Sequence, residues 1–192
     1  MNEADPLDEW VSLRVARRHG SAFARRNAEH KAIIERAVML EWQGSMHRAF
    51  SIAFQAVERG PDNAFPDFFV RINEAKLSVE LTELLHSEGI VRRAYNAKLT
   101  FEETWWTNDH FKARVIEAIK KKADNAYKRG QHIDVLLLHT DEPWLTSARL
   151  DEMCSALALE PPSVIRSAYL LKTYCPDVGY WPVHRLFGSV GD

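Results

Sequence analysis

The feature that most constrains the fold of this sequence is a pair of strand-like apolar runs that each carry a carboxylate. The runs cover residues 66–72 and 76–84, and a turn-like segment over residues 73–75 joins them. Because side chains alternate along a strand, a hairpin would place Asp67 beside Glu80 in the second strand. Two neighbouring carboxylates repel each other unless a cation lies between them or one keeps its proton. The pattern therefore predicts a divalent-metal site.

The segments Pro66-Asp67 and Glu80-Leu81-Thr82 resemble the PD-(D/E)XK nuclease superfamily, whose members have the restriction-endonuclease-like fold. In that family the first acid follows a proline, and the second precedes a lysine by two positions. The resemblance implies hydrolysis of nucleic-acid phosphodiester bonds with Mg²⁺ or Mn²⁺, and it implies Asp67 and Glu80 as metal ligands. The chain departs from the pattern at Thr82, where the family has lysine. Threonine has a precedent there in the very-short-patch repair endonucleases, and it also fits a domain that has lost its activity.

A lysine elsewhere in the sequence offers a replacement for the missing one. Lys122 lies in a predicted helix over residues 111–129 and falls on its apolar stripe, three and four residues after Ile119 and Ala118. A lysine on such a stripe either reaches out to solvent, pairs with an acid or points at a site. In several branches of the superfamily the lysine is relocated to this helix. The resemblance therefore implies that Lys122 is the stabilising cation.

Three further groups near the two acids have a candidate role. Thr82 shares a strand face with Glu80, so its hydroxyl would be able to orient the attacking water, although strands favour threonine in any case. The backbone carbonyl of Leu81 is a candidate metal ligand. Glu83 is expected to face away from Glu80. Either Glu35 or Glu41 would match the additional helical acid that many superfamily members carry.

The periodicity of apolar residues predicts a helix, three strands, a helix, a strand, a helix and two strands. The first predicted segments are a helix over 5–42 that ends at Gly44-Ser45, a strand over 50–56 for which a helix stays possible, and the two acidic strands. They are followed by a loop over 86–107, a helix from Asn108 or Asp109 to Gly130, a strand over 133–138, a helix from Thr146 or Ser147 to 159, and strands over 167–174 and 180–187. This order predicts an α/β fold of mixed α+β type, with a central mixed sheet flanked by helices. Its first six elements match the αβββαβ restriction-endonuclease-like core.

The 192 residues, of which 46% are hydrophobic, are enough for one well-buried core. We therefore expect a single nuclease-like domain over 1–192. Its predicted parts are an N-terminal helical region over about 5–42, a core over about 50–139, and a C-terminal helix and strands over about 146–187.

Basic residues are concentrated near the N-terminus, although the formal net charge of the chain is −2. Seven basic residues and only two acidic ones lie between Arg14 and Arg36, and four of them, Arg17, Arg18, Arg25 and Arg26, are the candidate nucleic-acid-binding residues. A basic face of this kind tracks a phosphate backbone or is simply solvated. The expected partner is nucleic acid, with DNA preferred to RNA, and a homodimer stays open because many enzymes that cut both strands work in pairs.

The location of the protein is predicted from its cysteines and its hydropathy. Cys154 and Cys175 have no CxxC spacing, which favours reduced thiols in a cytoplasmic protein. The first 30 residues are charged and lack the apolar h-region of a secretory signal, so we expect none, and no apolar run approaches the ~20 residues of a membrane span. No membrane association is therefore expected.

The predicted function is that of a Mg²⁺-dependent nuclease, and two alternatives remain open. The first alternative is a catalytically inactive nuclease-fold domain that binds nucleic acid or a protein partner. The second is a structural adaptor in which Asp67 only starts a turn and Glu80 pairs with an arginine such as Arg71.

Overall fold

The computed structural model describes residues 28–61, 64–86, 106–142, 145–173 and 178–190. These residues form three helices and six strands in the predicted order. In chain order the elements are α1 (Ala28–Phe50), β1 (Ala56–Arg59), β2 (Phe68–Ile72), β3 (Ala75–Glu83), α2 (Asn108–Lys128), β4 (Ile133–Thr140), α3 (Ser147–Ser155), β5 (Ile165–Lys172) and β6 (Val183–Phe187).

All six strands belong to one mixed sheet, in the order β1-β2-β3-β4-β5-β6. The first three strands form an antiparallel meander, β3, β4 and β5 are parallel, and β6 returns antiparallel to β5. Parallel neighbours need a crossover connection, and α2 and α3 lie in the segments that join β3 to β4 and β4 to β5. The predicted mixed α/β architecture is confirmed at this level.

The sheet is covered on both faces, and each face has its own apolar core. On one face α1 packs against alternate residues of the central strands, so Trp42 of α1 shares a cluster with Val79 and Leu137. On the other face α2 and α3 pack against the residues in between, including Leu136 of β4. The continuous apolar run of β4 is therefore explained as predicted, because its side chains are buried alternately in the two cores.

The hairpin that carries the two acids forms as the sequence predicts. Strands β2 and β3 pair with Phe68 opposite Val79, and a two-residue turn at Asn73 and Glu74 connects them. Asn73 has a φ of 54°, a left-handed conformation that asparagine tolerates better than most residues. The same register, continued by one residue, places Asp67 opposite Glu80.

The predicted end of the first helix at Gly44-Ser45 is wrong, and so is the strand predicted over residues 50–56. Helix α1 continues to Phe50, because Met46 is fully buried and the Ser45 hydroxyl donates a hydrogen bond of 2.6 Å to the carbonyl of Trp181. The helix ends where Ser51 takes a φ of 58° and its N–H donates to the carbonyl of His47. The first strand of the sheet is β1, which begins only at Ala56.

Other boundaries differ from the prediction by a few residues. The N-cap of α2 is Thr107 rather than Asn108 or Asp109, since its hydroxyl accepts a hydrogen bond from the N–H of His110. Helix α3 ends at Ser155 instead of residue 159. Strand β5 covers Ile165–Lys172 instead of residues 167–174, and β6 begins at Val183 instead of residue 180. Residues 5–27 of the predicted helix over 5–42, and residues 87–105 of the predicted loop over 86–107, lie outside the described residues.

The longest helices of the described part of the chain are α1, with 23 residues, and α2, with 21. No helix in that part combines the length and the apolar composition that crossing a membrane requires.

Candidate active site

Backbone hydrogen bonds fix Asp67 at the point where β2 begins. The N–H of Gly60 donates to the backbone carbonyl of Asp67 at 2.9 Å, which extends the pairing of β1 and β2 by one step. The carboxylate Oδ2 of Asp67 accepts a hydrogen bond of 2.8 Å from the N–H of Leu81 in β3. The aspartate is thus bound to both of its neighbouring strands, and its carboxylate is directed toward the Glu80-Leu81-Thr82 segment.

Gly60 allows this close approach because it has no side chain. A Cβ atom at position 60 would lie 1.8 Å from the carbonyl oxygen of Pro66 and 3.2 Å from that of Asp67. Any other residue at position 60 would therefore displace the backbone that carries the first acid.

Glu80 lies on the face of β3 that is covered by α2, with its side chain 12% exposed. The ammonium nitrogen Nζ of Lys122 donates to its Oε2 at 2.5 Å, and the same nitrogen lies 4.0 Å from Oδ2 of Asp67. The predicted proximity of the two acids is confirmed, because one ammonium group is close to both of them. Glu80 is ion-paired, as the adaptor alternative also supposed, but its partner is Lys122 and not an arginine such as Arg71.

Lys122 reaches the acids from the face of α2 that packs on the sheet. Its neighbours along that face, Ile119 and Ala123, are buried in the core, whereas the Lys122 side chain keeps 24% of its surface exposed. Of the conformations open to this lysine, the structure has the one in which it points at the two acids. The prediction of its position is therefore confirmed, and its chemical role stays a prediction.

These side chains border a cleft of about 360 Å³ at the edge of the sheet. The lining residues come from both helical layers as well as from the sheet, and they include Lys31, Glu35, Asp67, Thr82, Lys121 and Lys122. Glu80 does not itself line the cleft, but its carboxylate is paired with Lys122, which does. The Thr82 side chain is half-buried and lines the cleft, as expected for a residue on the Glu80 face of β3.

Glu35 brings a third carboxylate to the cleft from the first turns of α1. Burial of this carboxyl is the main cause that raises its pKa above the ordinary value; the Lys31 ammonium opposes the shift, and the negative charge of Asp67 adds to it. The Glu35 carboxylate lies 3.3 Å from Nζ of Lys31 and 3.7 Å from the guanidinium of Arg59. Of the two helical acids considered from the sequence, Glu35 is the one that lines the cleft.

Two residues that were not among the predicted site residues also line the cleft. Glu83 was expected to face away from Glu80, and it does lie on the other face of β3, yet its side chain still lines the cleft. It does so because the cleft lies at the end of the sheet, where both faces open to it. His139 of β4 is opposite Glu83 in the parallel pairing and is only 3% exposed. The sequence places His139 at the end of the strand that borders the predicted site, but a histidine at a strand end is most often incidental, and its contact with the cleft depends on the pairing of β3 with β4.

The candidate nucleic-acid-binding residues Arg17, Arg18, Arg25 and Arg26 lie outside the described residues. Of the basic stretch of which they form part, the described region contains Lys31 and Arg36, and Lys31 lines the cleft.

The donor groups around the cleft fit a hard divalent cation. Asp67 and Glu80 supply two carboxylates. The N–H and C=O of one strand residue point to the same side, so the Leu81 carbonyl is directed to the side on which its N–H meets Asp67. Within the described ranges no group of three or more His, Cys, Asp or Glu side chains is arranged to hold a metal. Two carboxylates and a carbonyl are compatible with Mg²⁺, which takes one or two carboxylates and keeps several waters.

Comparison of the chain with protein-family models, with curated proteins and with solved structures found no match.

Proposed function

We propose that the protein is a divalent-metal-dependent nuclease with a restriction-endonuclease-like αβββαβ core, formed by α1 to β4. The observation that supports this proposal best is the convergence of Asp67, Glu80 and Lys122, of which Asp67 and Lys122 line the cleft and Glu80 pairs with Lys122. The Lys122 Nζ is 2.5 Å from one carboxylate and 4.0 Å from the other. Two carboxylates and an ammonium group at one sheet edge are the charged groups that phosphodiester hydrolysis requires.

In this proposal Asp67, Glu80 and the Leu81 carbonyl would hold Mg²⁺ or Mn²⁺. The metal ion, when bound, would supply Lewis-acid stabilisation of the negative charge that develops on the phosphate oxygens. The nucleic-acid substrate would enter through the open side of the cleft, where Lys31 and Lys121 add positive charge. DNA is the expected substrate.

The remaining groups of the cleft act on the phosphate and on water. Lys122 is able to donate hydrogen bonds to a non-bridging phosphate oxygen, so its charge compensates that oxygen as the new bond forms. Thr82 carries a hydroxyl on the same strand face as Glu80, and this hydroxyl orients the attacking water by accepting a hydrogen bond from it. Hydrolysis joins the water oxygen to phosphorus, breaks the bond from phosphorus to a sugar oxygen, and leaves the displaced proton on that sugar oxygen.

The position of the lysine compensates for the departure at Thr82. An ammonium group acts through its location and not through its place in the sequence, and Lys122 reaches Glu80 although 42 residues separate them. The strand position beside Glu80 is thereby left to a neutral hydroxyl.

A cleavage assay with charge-removing variants tests the proposal. The full chain, Asp67→Asn and Glu80→Gln are incubated with plasmid DNA, single-stranded DNA and RNA, in Mg²⁺ or Mn²⁺ and in EDTA. Glu58→Gln is the matched control, because Glu58 is half-exposed on β1 and pairs with Lys76 away from the cleft. We expect metal-dependent cleavage by the wild type and the control, and a loss of about 100-fold or more in the two cleft variants.

Two other outcomes would contradict the enzymatic proposal. Equal cleavage by the wild type and both cleft variants would identify a contaminating nuclease as the source of the activity. Binding of nucleic acid without cleavage in any metal would favour the inactive nuclease-fold alternative.

A further inference from the structure

Two basic side chains at the rim of the cleft are bound to the same acid. The Lys31 ammonium lies 3.3 Å from one oxygen of Glu35, and the Arg59 guanidinium lies 3.7 Å from the other. The two basic side chains are 53% and 42% exposed, whereas the Glu35 side chain is only 14% exposed. The cations therefore face solvent, and the acid that pairs with both of them lies behind them.

These two ion pairs are connected through Asp67 to the charged groups of the proposed active site. Glu35 and Asp67 are close enough for their charges to interact, and Asp67 in turn shares Lys122 with Glu80. Three carboxylates, from Glu35, Asp67 and Glu80, are thus paired with three cations, from Lys31, Arg59 and Lys122, and the cleft lining adds one further charge of each sign, from Glu83 and Lys121.

This balance makes the cleft a poor site for a polyanion as long as each of these three cations is paired with an acid. A nucleic-acid phosphate that approaches Lys31 or Arg59 must compete with the fixed carboxylate of Glu35 for the same donors. A divalent cation held by Asp67 and Glu80 would change the formal charge of the cleft by two and make the cleft attractive to phosphate.

We propose that Lys31 and Arg59 are phosphate-binding residues of the nucleic-acid cleft, and that Glu35 holds them in a paired state until the substrate binds. This inference rests on the proposed function, since it assigns the phosphate contacts that lie beside the reacting one. The role of Glu35 here is to position two cations; it does not touch the reacting atoms.

Removal of the Glu35 charge should raise the affinity for DNA, and this increase is the test of the inference. The affinity of a short, fluorescently labelled DNA duplex is measured by anisotropy in EDTA, so that neither cleavage nor a metal ion is involved. Glu35→Gln keeps the shape of the side chain but removes the carboxylate charge with which a phosphate must compete at Lys31 and Arg59. We expect its affinity to be about 3- to 10-fold higher than that of the wild type, with a log–log salt dependence steeper by about 0.9 for each new phosphate contact.

Glu58→Gln is the matched control for this measurement. It removes the same charge from an exposed acid that binds Lys76 at 2.8 Å outside the cleft, and it should leave the affinity nearly unchanged. The triple variant Glu35→Gln, Lys31→Met, Arg59→Met should lose the whole gain. Melting temperatures show whether each variant is folded, and a second binding series in Ca²⁺ should show Lys31→Met, Arg59→Met weaker than the wild type.

The possible results separate this inference from the proposed function. If Glu35→Gln binds DNA no more tightly than Glu58→Gln, or if the triple variant keeps the gain, the assignment of Lys31 and Arg59 is overturned while cleavage by the wild type still stands. If the wild type neither cleaves nor binds nucleic acid in any metal, the proposed function fails, and this inference fails with it.

Discussion

Replacing Lys122 by methionine gives the most direct test of the charge arrangement in the cleft. The substitution keeps most of the aliphatic stem, which packs between α2 and the sheet, and removes only the ammonium group. In the wild type that group lies 2.5 Å from Glu80 and 4.0 Å from Asp67. Without a bound metal ion, Lys122→Met leaves two neighbouring carboxylates that have lost the cation between them.

The expected cost follows from the exposure of the three side chains. They are 12% to 25% exposed, so the site lies between a surface ion pair and a fully buried one. A surface pair contributes about 0.2–1 kcal/mol, and removing one partner of a buried pair costs about 3–5 kcal/mol. We therefore expect the free energy of unfolding to fall by about 2 kcal/mol in EDTA. For a chain of this length that corresponds to a decrease in Tm of about 4–8 °C.

A divalent cation should reverse most of this loss. The wild-type ammonium competes with a metal ion for Glu80, and the variant removes that competitor. Mg²⁺ should therefore raise the Tm of Lys122→Met by more than it raises the Tm of the wild type, even though the variant has lost catalytic rate. The assay is thermal unfolding in EDTA and in increasing Mg²⁺, followed by cleavage kinetics on the same preparations.

Lys120→Met is the control, because Lys120 is exposed on the same helix two residues away. It should differ little from the wild type in all three measurements. A Lys122→Met variant as stable as Lys120→Met in EDTA would refute the electrostatic reasoning. A variant that Mg²⁺ does not stabilise would refute the idea that the acids bind a metal.

Three further outcomes follow from other parts of the structure. Gly60→Ala should destabilise the fold and abolish cleavage, since its Cβ would meet the Pro66 carbonyl. Gly44→Ala, whose Cβ would meet nothing within 4 Å, should instead stabilise α1 by about 0.5–1 kcal/mol in urea unfolding. Equal effects of the two substitutions on stability would contradict the close approach at Gly60. Because the pKa of Glu35 is raised on folding, its ionised form opposes folding at pH values above its folded-state pKa. Glu35→Gln should therefore raise the Tm at pH 7 but not at pH 4, and a gain in Tm that is independent of pH would contradict this linkage. Burial raises the pKa of Cys154 to about 12. In a Cys175→Ser background its thiol should therefore react with iodoacetamide at pH 8 at least about 100-fold more slowly in the folded protein than in urea. Equal reaction rates would contradict the burial of this thiol.

The acidic hairpin and the position of Lys122 could be predicted from the sequence because each depends on a short-range period. A period of two residues assigns Glu80 to one face of β3, and the period of the helix assigns Lys122 to the buried face of α2. Once both elements pack on the same face of one sheet, the two side chains meet. No long-range information is needed beyond the order of the elements.

The errors arose where tertiary contacts override a local signal. A glycine followed by a serine normally suggests the end of a helix, but the helical penalty for glycine is only about 1 kcal/mol. Burial of Met46 and the hydrogen bond from Ser45 to Trp181 exceed that cost, and α1 continues. The alternation of Phe50, Ile52 and Phe54 resembled a strand, although these residues all pack on the α1 core from the end of a helix and from a linker.

The rim of the cleft could not be predicted, because its residues come together only at the edge of the sheet. Side-chain alternation assigns Glu83 and Glu80 to opposite faces of β3. It does not show that both faces open to one cleft at the end of this strand. Arg59 and Glu35 belong to different elements, and no sequence period relates them. Their contact depends on the packing of α1 over the end of β1, which the sequence reveals only as two separate charges.

Each acid of the cleft is held by a different kind of constraint. Backbone hydrogen bonds to β1 and β3 fix Asp67, the sheet pleat fixes Glu80, and two exposed cations hold Glu35. The first two constraints are built into the sheet and are retained when a ligand binds. The third involves long side chains in contact with solvent, which are able to exchange Glu35 for another anion at little cost. The structure therefore combines two acids that the sheet holds in place with two exposed cations whose partner is exchangeable, and the proposed binding of a metal ion and of phosphate assigns one ligand to each pair.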